Sequence, residues 1–522
     1  MKPSFFLLSL ICVSILSCSE KEETKRPNIL YIMSDDHAAH AISAYGGIYD
    51  SLAPTPNIDR LADEGMLFQN VFCTNAICGP SRAAILTGKY SHDNGYYKNE
   101  SGGKFDNSQW TFPEELQKNG YQTSLFGKWH LGSEPKGFDA YKYHEGGGQQ
   151  GFYWNPVYNE NGKKVTEEGY ATNLTTDFAL SWLDSANSDQ PFAMILQYKA
   201  PHRPWDPDEK YVGMWDDVEF PYPSTFYDTY EGKEKTAGDT WMTMDYLNRR
   251  DMKLEEPDTL EGREKQQWRW YGNQPDELVV PDGMSKEEAF KWRYQKYIKD
   301  YLACVKSVDD NIGRVLDYLD EKGLAENTLV VYTSDQGFYL GDHGFFDKRF
   351  IYEESLRMPF LMRYPGQISA GSVNQDIITN IDFAPTLLDA AGVSVPDQVQ
   401  GNSFLANAQG NTPETWRQSM YYHYYEYPFW HHVQPHYGIR NQNFKLAHFY
   451  YSVDEWEFYD LEKDPDELVN AINDPNYSDV IEEMKVELAG LQKEYGNDLS
   501  LEDFRAISDK DFGAISDFRP DR

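Results

Sequence analysis

The residues best suited to chemistry lie in one run, Cys78-Gly79-Pro80-Ser81-Arg82-Ala83-Ala84-Ile85-Leu86-Thr87-Gly88. Gly79 and Pro80 resist helix and the residues behind them favour it, so Cys78 is expected at the mouth of a helix. Unpaired backbone N–H groups and the helix dipole at such an end favour an anion. Arg82, four residues on, shares the face of Cys78. A thiol, an anion-friendly helix end and a guanidinium would thus converge. A buried cysteine in a helix-capping turn fits the same residues as well as an active group does.

Two other stretches must bring partners to this run. Asn28-Ile29-Leu30-Tyr31-Ile32-Met33 is a continuous apolar run, as expected of a parallel strand covered on both faces, and it ends in Ser34-Asp35-Asp36-His37. Thr328-Leu329-Val330-Val331-Tyr332-Thr333 repeats the pattern and ends in Ser334-Asp335-Gln336-Gly337. Ligands of open α/β sheets bind beyond the carboxyl ends of the strands. Asp35, Asp36, Asp335 and the amide oxygen of Gln336 form a hard, oxygen-only set suited to Ca²⁺ or Mg²⁺ rather than zinc. Adjacent carboxylates are costly without a cation, although either pair alone also reads as helix caps. Pro56–Ala62 is expected to open a helix, and Gly65–Phe72 to turn into a strand. Ser307–Lys322 is an amphipathic helix with Val308, Ile312, Val315, Leu316 and Leu319 on one face, and further helix is expected around Lys286–Lys306.

Composition narrows the partners. With 48 basic and 84 acidic residues the formal charge is −36, which argues against nucleic acid and is compatible with a saline habitat. Met1-Lys2 and the apolar run after it read as an export signal, too short for a permanent membrane span. Ile15-Leu16-Ser17-Cys18 resembles a lipobox, giving a signal over 1–18, lipidation at Cys18 and a solvated tether over 19–26; ordinary signal cleavage nearby is the alternative. An exported lipoprotein at the outer membrane, cell surface or periplasm follows, held to the membrane by its lipid. Cys73 and Cys304 have apolar neighbours and are expected in the core, and too few cysteines remain for a disulfide framework.

Cys78-Gly79-Pro80-Ser81-Arg82 with Thr87-Gly88 resembles the signature of the formylglycine-dependent sulfatases, in the alkaline phosphatase-like superfamily. Further landmarks stand in that family's order: Asp35-Asp36, Gly127-Lys128-Trp129-His130, Pro201-His202-Arg203-Pro204, Asp335-Gln336-Gly337 and Asp347-Lys348-Arg349. The resemblance implies an α/β fold: a large, mixed but mainly parallel central sheet flanked by helices, with a smaller C-terminal antiparallel sheet. A catalytic domain would cover 27–400, with a loop-rich insertion at 205–290, and a subdomain 401–522. It implies a sulfuric ester hydrolase in which a maturation enzyme has converted Cys78 to formylglycine (3-oxoalanine). Asp35, Asp36, Asp335, Gln336 and residue 78 would hold one Ca²⁺, with Mg²⁺ the alternative. Gln336 departs from the asparagine common at its position. Arg82 and Lys128 would position the nucleophile, His130 would act as base, and His202 with Lys348 would face the leaving oxygen.

In the C-terminal part, Phe444–Tyr450 is expected to pair with Glu457–Leu461 across a turn, followed by a helix over Val480–Tyr495. His431, His432 and Arg440 are candidates for contacting the substrate, and an aromatic cluster filling the sheet's face is the plainer alternative. Tryptophans and tyrosines of the 205–290 insertion could stack on sugar rings or simply pack. The substrate expected by resemblance is a sulfated carbohydrate. Acidic composition tilts this towards a marine algal polysaccharide such as ulvan, used in polysaccharide degradation. An N-acetylglucosamine-6-sulfatase or other glycosaminoglycan or mucin sulfatase is the alternative, and a phosphatase or phosphonate-ester hydrolase of the same superfamily a further one.

Overall fold

The computed structural model describes residues 25–99, 104–254, 259–260, 280–428 and 431–509. The signal peptide, the lipidation site Cys18 and most of the tether lie outside the described residues, as do residues 255–258 and 261–279 of the insertion. No helix among the described residues is long and apolar enough to cross a membrane.

The site is carried by a ten-stranded sheet. At its centre Thr328–Ser334, Asn28–Asp35, Phe192–Pro201, Gln122–Gly127 and Ala140–Glu145 run parallel to their neighbours. Phe360–Arg363 runs antiparallel to Thr328–Ser334, and Val157–Glu160 with Lys163–Thr166 adds an antiparallel edge. The fold class expected from the sequence is therefore the one observed. Alternate residues of Asn28–Asp35 serve two cores, because side chains on a strand alternate in direction. Ile29, Tyr31 and Met33 face one cluster and Leu30 and Ile32 the other. Full burial of each contributes about 1.5–3 kcal/mol. Both faces being covered is why the strand reads as an unbroken apolar run.

The expected helices at Lys286–Lys306 and Ser307–Lys322 are one helix, Lys286–Glu321. No glycine or proline interrupts the join, and the apolar stripe runs on through Ile298, Tyr301, Leu302, Val305 and Val308, all buried. Ser285 opens it with a reciprocal capping box to Glu288. Cys73 and Cys304 are buried free cysteines, as expected.

A second sheet has the order Ser419–Tyr424, His436–Asn441, Phe444–Phe449, Glu455–Asp460, each antiparallel to the next. The pairing of Phe444–Phe449 with Glu455–Asp460 is the one expected. The following helix spans Ser478–Glu494, and a shorter one, Leu501–Asp509, succeeds it. In the described part of the insertion, Trp205 and Trp215 are buried, and Trp205 packs edge-on against Tyr297 with centroids 4.6 Å apart. For these two tryptophans packing is the outcome, not stacking on sugar.

Gly127 ends the Gln122–Gly127 strand with φ +106°. A Cβ there would lie 1.8 Å from the Gln197 carbonyl oxygen, which accepts the N–H of Lys128 at 2.8 Å. Gly127→Ala is accordingly expected to destabilise the fold by about 2 kcal/mol or more. Urea unfolding measures this, and an unchanged midpoint would contradict the close approach.

Candidate active site

Cys78 is the first residue of the helix Cys78–Thr87, which follows an extended Ile77 and stops at the left-handed Gly88. All of its residues are buried, Arg82 included. The Gly79 N–H donates to Asn99 Oδ1 at 2.9 Å, and a Cβ on Gly79 would press on Tyr96 and Asn99 at 2.5 and 2.6 Å. Only glycine lets the helix start this close to that loop.

The two acidic strand ends meet at the helix mouth. Ligating atoms of Asp35, Asp36 and Cys78 all lie within 4.8 Å of one another. The ladder slips between Ser34 and Asp35, where Ser34 faces Tyr198 but Asp35 faces Pro201. Such a bulge re-aims a side chain. Asp36 then takes a positive φ of 65°, its N–H donating to Asp335 Oδ1 at 3.1 Å. Its carbonyl accepts the Tyr301 hydroxyl of the long helix at 2.7 Å.

Basic side chains balance these acids. Arg82 Nε meets Asp335 Oδ2 at 2.9 Å and its NH2 lies 3.4 Å from Asp35 Oδ1. Its NH1 donates to the Lys128 carbonyl and to Gln197 Oε1, each at 2.9 Å. Lys128 Nζ pairs with Asp35, and Lys348 Nζ sits 2.7 Å from both oxygens of Asp36. Burial alone would raise Asp35, but Lys128, His202 and Arg82 outweigh it and hold it well below the usual carboxylate range. Burial, opposed by Lys348 and reinforced by Asp35 and Asp335, pushes Asp36 up to about 7.

Gln336 Nε2 donates to Asp36, whereas its Oε1 is buried with no hydrogen-bond partner among the described residues. A buried acceptor without a donor is rare and costly. Next to three carboxylates it completes an oxygen donor set that fits a hard divalent cation. The longer arm of Gln336 thus reaches the cluster.

His202 Nδ1 lies 2.7 Å from the Arg203 carbonyl, which assigns the proton to Nδ1 and leaves Nε2 facing Asp36 Oδ2 at 3.7 Å. His130 has φ 56° and a buried Nδ1 without a hydrogen-bond partner among the described residues. Burial, followed by Lys128, holds His130 well below its ordinary value. Burial also pushes the Cys78 thiol well above its own, so an unmodified Cys78 is a neutral, poorly nucleophilic thiol.

His431 is buried beside Lys348's neighbour, with Nε2 at 3.1 Å from Asp347 Oδ2. His432 stacks on Trp241 with centroids 4.7 Å apart. Arg440 has different partners from the two histidines. It is buried in ion pairs with Glu353 at 3.2 and 3.3 Å and lies over the Phe72 ring. A buried guanidinium requires such a carboxylate.

The sequence reading passed over several partners. Gln197 stands in a strand buried along its whole length; a polar side chain in such a run was a usable signal. Glu426 left none. It accepts the Asn99 N–H at 2.8 Å and pairs with Arg349 at 2.6 Å, tying the helix mouth to the loop of Lys348.

The sulfatase family model matches residues 27–393. The chain belongs to the sulfatase family. It is a sulfuric ester hydrolase. A second model, N-sulphoglucosamine sulphohydrolase, C-terminal, matches residues 341–494 of this sulfatase. The N-acetylglucosamine-6-O-sulfatase of Bacteroides thetaiotaomicron is 46% identical, over 94% of this chain and 91% of that protein. An ulvan-active sulfatase of Formosa agariphila is 25% identical, over 95% and 88%. A solved structure of a protein in complex with its substrate D-glucosamine-2-N,6-O-disulfate superimposes with a TM-score of 0.84 at 44% identity, covering 92% of this chain and 100% of that one.

Removing a divalent cation from this sulfatase with a chelator is expected to lower both turnover and melting temperature, with recovery on adding Ca²⁺ or Mg²⁺. An ion at one hundred times its Kd stabilises by about 2.7 kcal/mol. A melting temperature indifferent to chelator and ion would refute the oxygen cluster as a cation site.

Proposed function

We propose that this sulfatase removes the 6-O-sulfate of a glucosamine-type sugar, N-acetylated or N-sulfated, from a glycosaminoglycan- or mucin-like glycan. The observation that carries the reading is the 46% identity, over nearly the whole chain, to an N-acetylglucosamine-6-O-sulfatase. The structural match at 44% identity, bound to a glucosamine 2-N,6-O-disulfate, supports it. This replaces the tilt towards ulvan, whose relative stands at 25%. Overall acidity speaks to solubility and habitat, whereas substrate choice rests on a few residues around one pocket. Action at the cell envelope as a lipoprotein belongs to the same proposal and is supported by the run ending in Cys18.

Cys78 would be the formylglycine, and Asp35, Asp36, Asp335, Gln336 and residue 78 would hold Ca²⁺. Together these groups supply a hydroxyl nucleophile and electrostatic pull on the sulfate oxygens. The chain's own residues do the rest. Arg82, fixed by Asp335 and Gln197, orients the helix mouth and keeps it positive. Lys128 and Lys348 place ammonium groups where the ester's anionic oxygens must sit, offsetting charge in a site closed to water. His130 Nδ1, without a hydrogen-bond partner among the described residues, takes the proton released when sulfate leaves. The Lys348 ammonium, which shares Asp36 with His202 Nε2, delivers a proton to the departing alcohol oxygen, and the Arg203 carbonyl holds the His202 ring facing it. The buried, neutral thiol of unmodified Cys78 supports conversion to the aldehyde, because the precursor itself lacks a nucleophile at neutral pH.

Two measurements test this. Desulfation of a panel containing N-acetylglucosamine 6-sulfate, N-sulfoglucosamine 6-sulfate, galactose 6-sulfate, ulvan oligosaccharides and an aryl phosphate is expected to favour the two glucosamine 6-sulfates by at least about a hundredfold in kcat/KM. Preference for ulvan or for the phosphate would overturn the assignment. Mass spectrometry of the Cys78 peptide, from a host with the maturation enzyme, is expected to show aldehyde in place of thiol, and Cys78→Ala to abolish turnover with the melting temperature retained. Full activity in protein carrying only thiol would refute formylglycine.

A further inference from the structure

Lys199 lies near the end of the buried strand Phe192–Pro201. It is 2% exposed, and its Nζ has no hydrogen-bond partner among the described residues. The other basic groups of the site are each matched to carboxylates: Arg82 to Asp35 and Asp335, Lys128 to Asp35, Lys348 to Asp36. Lys199 instead rests over the face of Tyr153, 5.1 Å from the ring centroid. An ammonium taken out of water without an acceptor is expensive, and a cation–π contact offsets only part of that. A chain retains such a cost where activity needs it.

Its connections lead to the catalytic groups. The Lys199 carbonyl accepts the His202 N–H at 3.0 Å, and the Tyr153 hydroxyl donates to the His202 carbonyl at 2.6 Å. The backbone of His202 is therefore gripped from both sides by Lys199 and by the ring on which the Lys199 ammonium sits. On the neighbouring strand, Lys128 begins at the hydrogen bond from its N–H to the Gln197 carbonyl, 2.8 Å. Burial first, then the like charge of Lys128, bring Lys199 down to about 8, leaving it mostly charged at neutral pH. Burial and then the Lys199 charge hold the neighbouring His144 at about 3.

We propose that Lys199 is a positioning residue of the sulfatase reaction: its ammonium, without a hydrogen-bond acceptor among the described residues, holds His202 in place through Tyr153, at a cost to stability. The proposal rests on the assignment of sulfate-ester hydrolysis to the Cys78 site. Wild-type turnover in the same assay separates a failure of that assignment from a failure of this role.

The test is Lys199→Met, similar in length and uncharged, beside Lys199→Arg, which keeps the charge. For Lys199→Met we expect a higher melting temperature together with a kcat lowered about tenfold or more and little change in KM. For Lys199→Arg we expect part of kcat to return. A merely structural lysine would move stability and activity in the same direction. The proposal is overturned if Lys199→Met melts lower or fails to fold, if its kcat equals wild type, or if the Arg variant is as slow as the Met variant.

Discussion

Everything in this protein's site depends on holding three buried carboxylates together. Asp35, Asp36 and Asp335 are fully buried, and left alone such charges would repel one another and take up protons. Arg82, Lys128 and Lys348, each also buried, keep the group in place. Each comes from a different part of the chain: a helix mouth, the turn after a strand, and a distant loop. The sheet exists, functionally, to bring those pieces within reach of one another.

That constraint explains the local irregularities. The register slip before Asp35, the positive φ of Asp36 and of His130, and the close approach at Gly127 all sit at carboxyl ends of central strands. Regular ladder geometry would have aimed successive side chains to opposite faces. Turning Asp35 and Asp36 into one site required breaking it. The small sheet contributes from the other side, through Glu426 on Arg349 and His431 on Asp347, so the loop of Lys348 is clamped between the two sheets.

Charge on the whole chain and charge at the site are separate matters. A formal −36 would repel a sulfated glycan at long range, yet Arg82, Lys128, Lys348 and His202 are gathered around Asp35, Asp36 and Asp335. Salt screens the former over about 10 Å at 0.1 M, while buried groups at hydrogen-bond distance are screened far less. Net charge therefore says little about which sulfated carbohydrate is taken.

Much of the architecture was legible from residue order. The apolar runs at Asn28–Met33 and Thr328–Thr333 identify buried strands because both faces are covered, and the helix at Cys78 follows from what surrounds Gly79 and Pro80. The acids after each strand likewise mark the site, since ligands gather at that edge of such a sheet. Other features were settled only when the chain folded. The long helix reads as two pieces in sequence because periodicity says little about where a helix stops without a breaker. That Arg440 pairs with Glu353 and Glu426 with Arg349 could not be read from residue order. Residue type states what a side chain can do, but its partners come from segments hundreds of residues away, and only tertiary packing decides which charge meets which.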